Sequence, residues 1–282
     1  MNQAQFEQIQ VQGQPALRLR APDGAEALIL QHGAHILSWV PAGGSERLYL
    51  SERAVLDGKS AVRGGVPLIF PQFAERGPGP RHGFARTHSW QAVLTRAGPD
   101  FALATYSLRS DDATRSLWPH DFLAEFTLSV GGQRLDMELS ITNTGTQPFQ
   151  FSSALHTYLR VADVETVRLE GLQGARYEAP DAPGRRRDDA PGLIVDGEID
   201  RLYCAAPDTL LLREPHRALA LQSAGFPDVV VWNPWEQQCK RMADMPPDGF
   251  RRMLCVEAAL AAAPLELAPR AEWTGRQTLL AV

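Results

Sequence analysis

Residues 122–145 read FLAEFTLSVGGQRLDMELSITNTG. Phe122, Ala124, Phe126, Leu128 and Val130 fall on one face of an extended chain, and Glu125, Thr127 and Ser129 on the other, with Leu123 the apolar exception. Gly131-Gly132 offers the positive-φ turn that a tight hairpin needs. Leu135, Met137, Leu139 and Ile141 then alternate with Asp136, Glu138, Ser140 and Thr142, and Asn143-Thr144-Gly145 closes the run. A period of two on both sides of a glycine turn predicts an antiparallel hairpin buried on one face.

The same rhythm extends outward. Shorter strand-like runs stand at Leu17–Leu19, Ala27–Leu30, Ile36–Val40, Phe101–Leu108, Val167–Leu169, Leu210–Leu212, Ala218–Gln222, Val229–Trp232, Met253–Val256 and Glu272–Leu280, with turn residues between them. Helical periodicity is scarce, Gln237–Ala243 being the best candidate, and no repeat suggests propeller blades. Residues 179–192 read as a charged loop in which Arg185-Arg186-Arg187 is offset by Asp188-Asp189. The rhythm resumes unchanged after it, so residues 1–282 are expected to form a single all-β antiparallel sandwich with few short helices.

Composition narrows the function. The chain has 282 residues, 44% hydrophobic and 22% charged, within the range of ordinary globular proteins. A net charge of −5 lacks the basic footprint of a nucleic-acid binder. Lys59 and Lys240 are the only lysines, so a single arginine carries little information by itself. Cys204, Cys239 and Cys255 form no CxxC pair and no zinc-type spacing, which fits a reducing compartment. The N-terminus has no signal-peptide pattern and no stretch is apolar enough to span a membrane. A cytoplasmic protein is expected, and a monomer, since nothing points to obligate assembly. No P-loop, GxSxG or HExxH motif is present, so neither cofactor nor metal is indicated.

Three segments interrupt the rhythm. Residues 62–90, VRGGVPLIFPQFAERGPGPRHGFARTHSW, form a long glycine- and proline-rich stretch holding Arg63, Arg81, His82 and Arg86. Such a stretch is often functional, and its glycines would let backbone approach a ligand. A covering loop whose arginines face water is the bland alternative. His156, in FSSALHTYL, reads by itself as a satisfied histidine, as do His32 and His35 in HGAH. The segment MLCVE reads as a buried strand ending at Glu257, with Met253, Cys255 and Glu257 on one face. A carboxyl beside Met and Cys would be partly desolvated and suited to general-base work, whereas a strand-end Glu facing solvent is equally compatible with the pattern. Asp200-Arg201 reads as a local ion pair.

Taken in order, RGGVPLIFPQF, HGFAR, ALHTYL, DRLY, WNPW and MLCVE resemble the glucose-6-phosphate 1-epimerases, the hexose-6-phosphate mutarotases of the aldose 1-epimerase superfamily. The resemblance runs along nearly the whole chain. It departs at Ala74, where a glycine commonly follows the PxF segment, and at Pro269-Arg270, where the family usually has Pro-Gly. It implies a galactose-mutarotase-like β-supersandwich that interconverts the anomers of a sugar phosphate without cofactor. It also implies roles: Glu257 as general base on the anomeric hydroxyl, and His156 as general acid at the ring oxygen. His82 would hold the sugar near that oxygen, Asp200 would bind hydroxyls, and Arg63 and Arg86 would take the phosphate, with Arg81 an extra candidate beside the motif. Arginine suits a phosphate through its planar set of donors.

Two other classes compete. A carbohydrate-phosphate sensor would keep the cleft without turnover, yet simple binding needs neither His156 nor Glu257. A glycoside hydrolase would need two carboxylates flanking a glycosidic bond. Asp200 and Glu257 could supply them, but the histidines would then be idle.

Overall fold

The computed structural model describes residues 3–282, and strands dominate it. A four-stranded antiparallel sheet takes Gln5–Val11, Gln14–Arg20, Glu26–Leu30 and Ile36–Val40 in chain order. One eight-stranded sheet, in spatial order, holds Arg168–Glu170, Thr209–Glu214, Arg217–Ala224, Glu272–Ala281, Arg134–Asn143, Phe122–Gly131, Ala102–Arg109 and Gln91–Ala97. The other runs Ala182–Arg187, Arg176–Ala179, Ile199–Cys204, Asp228–Asn233, Met253–Leu267, Phe149–Leu155, Leu68–Ile69, with Tyr158–Arg160 also pairing Met253–Leu267. Every pairing between these strands is antiparallel. The two α-helices, Asp112–Leu117 and Trp235–Cys239, are short.

The hairpin at 122–143 forms as its alternation predicts, with Phe122 paired to Asn143 and Gly131 to Arg134. Its predicted inward residues are buried, and they share one core cluster with Trp39, Leu155, Tyr203 and Val231 from the other two sheets. Only Gly132 has the positive φ, at 57°; Gly131 is a strand residue. All the shorter runs coincide with or overlap strands. The helical candidate is displaced to Trp235–Cys239, where Asn233 Oδ1 accepts from Trp235 N–H at 2.9 Å and turns the chain.

Two expectations are corrected. Residues 182–187 form an edge strand, not a loop, pairing with Arg176–Ala179. Its arginines pair with Glu178, Asp181 and Asp189, so the charges sit on an exposed sheet edge, where they discourage strand addition. The strand at Met253 does not end at Glu257 but continues to Leu267, and of the two settings left open for Glu257 the buried one holds. The Ala-rich run beyond Glu257 hides from a period-two reading because it is buried on both faces through Ala261.

Candidate active site

Strand register builds the site. In the second eight-stranded sheet Asp200 pairs with Trp232, Trp232 with Cys255, and Cys255 with Tyr158. One row over, Leu202 pairs with Val230 and Val230 with Glu257. The ladder from Leu155↔Ala258 to Tyr158↔Cys255 keeps step, which sets His156 opposite Glu257. Residues two apart on a strand share a face, so both rows look the same way. The opposite face of Met253–Leu267 sends Leu254, Val256, Ala258 and Leu260 into the main core.

His156 Nδ1 stands 3.1 Å from Glu257 Oε1. Both residues are buried, 8% and 2% exposed, and neither His156 Nδ1 nor Glu257 Oε2 has a hydrogen-bond partner among the described residues. The imidazole stacks on the Tyr158 ring at 4.8 Å and meets Trp232 edge-on at 6.2 Å. Burial, reinforced by Asp200, pushes the Glu257 carboxyl well above its ordinary pKa. Burial, with His82, Arg86 and Arg63 adding positive charge, holds His156 well below its own. Both shifts favour uncharged forms.

The 62–90 segment covers this face. It is held by isolated bridges, Leu50↔Gly64, Ile36↔Val66 and Phe70↔Gly83. Its glycines serve approach to the protein's own backbone, not to a ligand as expected: a Cβ on Gly65 would lie 2.0 Å from Ile36 O, and one on Gly83 2.1 Å from Phe70 O. His35, buried, places Nε2 2.8 Å from Gly64 O and so steadies the turn beside Arg63.

His82 is delivered against His156, with ring centroids 5.7 Å apart, and packs on Phe73. Its Nδ1 accepts from Ala74 N–H at 3.3 Å, so the neutral ring carries its proton on Nε2. Burial and the neighbouring Arg86 and Arg81 lower its pKa to about 3, which keeps the ring neutral. Arg63 donates to Tyr158 Oη at 2.9 Å and to Asp244 Oδ2 at 3.2 Å. Arg86 donates to Arg81 O at 3.0 Å, its Nε is buried without a partner among the described residues, and burial draws its pKa down to about 10.

The structure therefore brings Arg63, His82, Arg86, His156 and Glu257 together. Asp200 is solvent-accessible in the next row, where partial desolvation still raises its carboxyl pKa. It does not pair with Arg201 as expected; that guanidinium binds Asp188 at 3.1 Å and lies over Tyr177. Arg81 is the most peripheral, in an exposed ion pair with Glu75. Sequence reading missed Tyr158, Trp232 and Asp244; the alternation in MLCVE did already put Cys255 beside Glu257. A cavity of about 190 Å³ lies elsewhere, behind Gly83 and lined by Pro71, Gln72, Trp118 and Phe151, and holds none of these titratable groups.

Residues 15–280 match the family model described as aldose 1-epimerase. The chain belongs to that family. A relative from Cenchrus ciliaris, provisionally named a glucose-6-phosphate 1-epimerase, is 33% identical over 94% of this chain and 87% of its own length. The solved structure of a Salmonella typhimurium protein provisionally named a mutarotase superposes with a TM-score of 0.90, at 29% identity over 98% of this chain and 93% of that one. A galactose mutarotase related enzyme from Lactobacillus acidophilus shares the fold, with a TM-score of 0.75 at 14% identity, over 99% and 97% of the two chains. The aldose 1-epimerase fold here is thus the galactose-mutarotase-like antiparallel β architecture. Membership of this family makes the protein an epimerase of the mutarotase type, acting on sugar anomers.

Proposed function

We propose that this epimerase, one catalytic unit over residues 1–282, interconverts the α and β anomers of hexose 6-phosphates, glucose 6-phosphate foremost. The observation that carries the reading is the buried His156–Glu257 pair, 3.1 Å apart, facing His82 and two arginines. Opening the ring takes a proton from O1 and gives one to O5. Glu257 as carboxylate removes the first, and His156 as imidazolium supplies the second while the C1–O5 bond breaks. The pair is left as carboxylic acid and neutral imidazole. Rotation about C1–C2 presents the other face of the aldehyde. His156 then takes the proton back from O5 as Glu257 returns one to O1, and the ring closes as the other anomer.

The electrostatics suit this cycle. A dry site favours the uncharged pair, which is the form that closes the ring. Moving one proton from Glu257 to His156 gives the form that opens it. The two forms are tautomers of one site, so neither requires a proton from outside. The Nε2–H of His82 is a fixed donor for the sugar beside the ring oxygen. Asp200 binds hydroxyls, and Arg63 and Arg86 take the phosphate, with Arg81 adding positive charge at the rim.

Anomer exchange measured by NMR tests this. Glucose 6-phosphate should exchange faster with enzyme, and unphosphorylated glucose and galactose much less. Equal acceleration of the free sugars would remove the phosphate assignment. Line broadening without acceleration would replace the catalyst by a sensor. Arg86→Met should raise the KM for the phosphate ester about tenfold or more, as expected for loss of a charged hydrogen bond, with little effect on free glucose.

A further inference from the structure

Cys255 takes no part in the cycle above, yet it lies on the same face of the sheet, two residues from Glu257 and paired with Tyr158. Its Sγ, a ring nitrogen of His156 and a carboxylate oxygen of Glu257 all lie within 4.8 Å of one another. Among the described residues no other group of three His, Cys, Asp or Glu side chains is arranged in this way. Two of the donor groups are also unused: among the described residues His156 Nδ1 and Glu257 Oε2 are buried without hydrogen-bond partners.

We propose that His156, Cys255 and Glu257 form an inhibitory site for a zinc-class divalent cation, which silences the epimerase by coordinating its proton-transfer pair. The donor set decides the class of ion. Nitrogen, sulfur and a single carboxylate oxygen match zinc or cadmium, whereas magnesium and calcium need six or more oxygens. Bond lengths of about 2.0–2.3 Å in a tetrahedron separate ligand atoms by about 3.3–3.8 Å. The cluster needs a contraction of about 1 Å at its widest, within the reach of small side-chain rotations.

Charge balance supports the same ion. A 2+ cation with one thiolate, one carboxylate and a neutral imidazole leaves no net charge in a buried place. Binding releases the thiol proton and the carboxyl proton to solvent, and no electron is transferred. Three protein ligands leave a fourth position for water. Arg63 and Arg86, whose charges act on His156, oppose the cation and make the site an inhibitor's, not a resident cofactor's.

Coordination itself does not rest on the function proposed above; inhibition does, and the experiment separates them. Full-length protein is titrated with cadmium while the ultraviolet thiolate-to-cadmium charge-transfer band is followed. One equivalent should saturate the band. Cys255→Ser should abolish it, and Glu257→Gln should weaken binding at least tenfold. In parallel, micromolar zinc should slow glucose 6-phosphate anomer exchange reversibly with EDTA, and magnesium should not. Cys255→Ser should retain exchange and lose at least tenfold in zinc sensitivity. Absence of a band in the wild type would overturn the site. So would a band that survives in Cys255→Ser, because it would then belong to Cys204 or Cys239. A saturable Cys255-dependent band in a protein without exchange would uphold the cation site and overturn only the proposed activity.

Discussion

A carboxyl as dry as that of Glu257 works against the fold at neutral pH. Its folded pKa lies above its unfolded value, so its stability contribution is complete below the unfolded pKa and is lost as pH rises through the folded one. Glu257→Gln should therefore slow anomer exchange by about 10²–10⁴-fold and raise stability at neutral pH by about 1–3 kcal/mol. Denaturant midpoints at pH 5 and 8 should show that gain growing with pH. A purely structural Glu257 would give the opposite sign of stability change. The two departures from the family pattern share a backbone conformation: Ala74 has φ 49° and Arg270 φ 66°. Both occupy the left-handed region, where a Cβ is disfavoured. Ala74→Gly and Arg270→Gly should each raise stability by about 0.5–1 kcal/mol, measured by denaturant unfolding, with Arg270→Gly leaving exchange untouched.

Among the elements, the turn at residues 63–65 couples packing most directly to the site. Gly65 has φ 60° and no room for a Cβ against Ile36 O. Gly65→Ala should cost about 3 kcal/mol or more in unfolding free energy and raise the KM for the sugar phosphate by displacing Arg63. The hairpin at 122–143 was legible because one of its faces is buried and the other wet, which writes burial into alternation. Met253–Leu267 was legible only as far as Glu257, since a strand buried on both faces loses that signal. The 182–187 strand escaped notice because an edge can be charged throughout and still complete its ladder. Of the site, His156 and Glu257 stood out by resemblance, and their mutual contact required the register of two strands a hundred residues apart. The Arg63–Asp244 pair spans loops that no local pattern connects.

For the whole molecule, histidine burial governs the response to acid. His35 and His82 are each held neutral, with pKa values lowered to about 3. Between pH 6.5 and 3 the unfolded chain binds protons that the folded one refuses, so stability is complete above 6.5 and falls as the pH drops. Each such histidine should remove about 2 kcal/mol between pH 7 and 5. Unfolding of His35→Gln at those two pH values should show a dependence smaller by about that amount. The position of Met253–Leu267 in its sheet has a consequence for synthesis. This strand sits between Asp228–Asn233 and Phe149–Leu155, yet it leaves the ribosome about a hundred residues after the latter. At about 5–20 residues per second, Phe149–Leu155 waits about 5–20 s for its central neighbour. Throughout that interval only Ala154 and Leu155 have a strand partner, in Leu68–Ile69, so a nascent chain displays a largely apolar open strand edge, a surface that chaperones recognise, and it gains both its completed sheet and its Glu257 in a single late event.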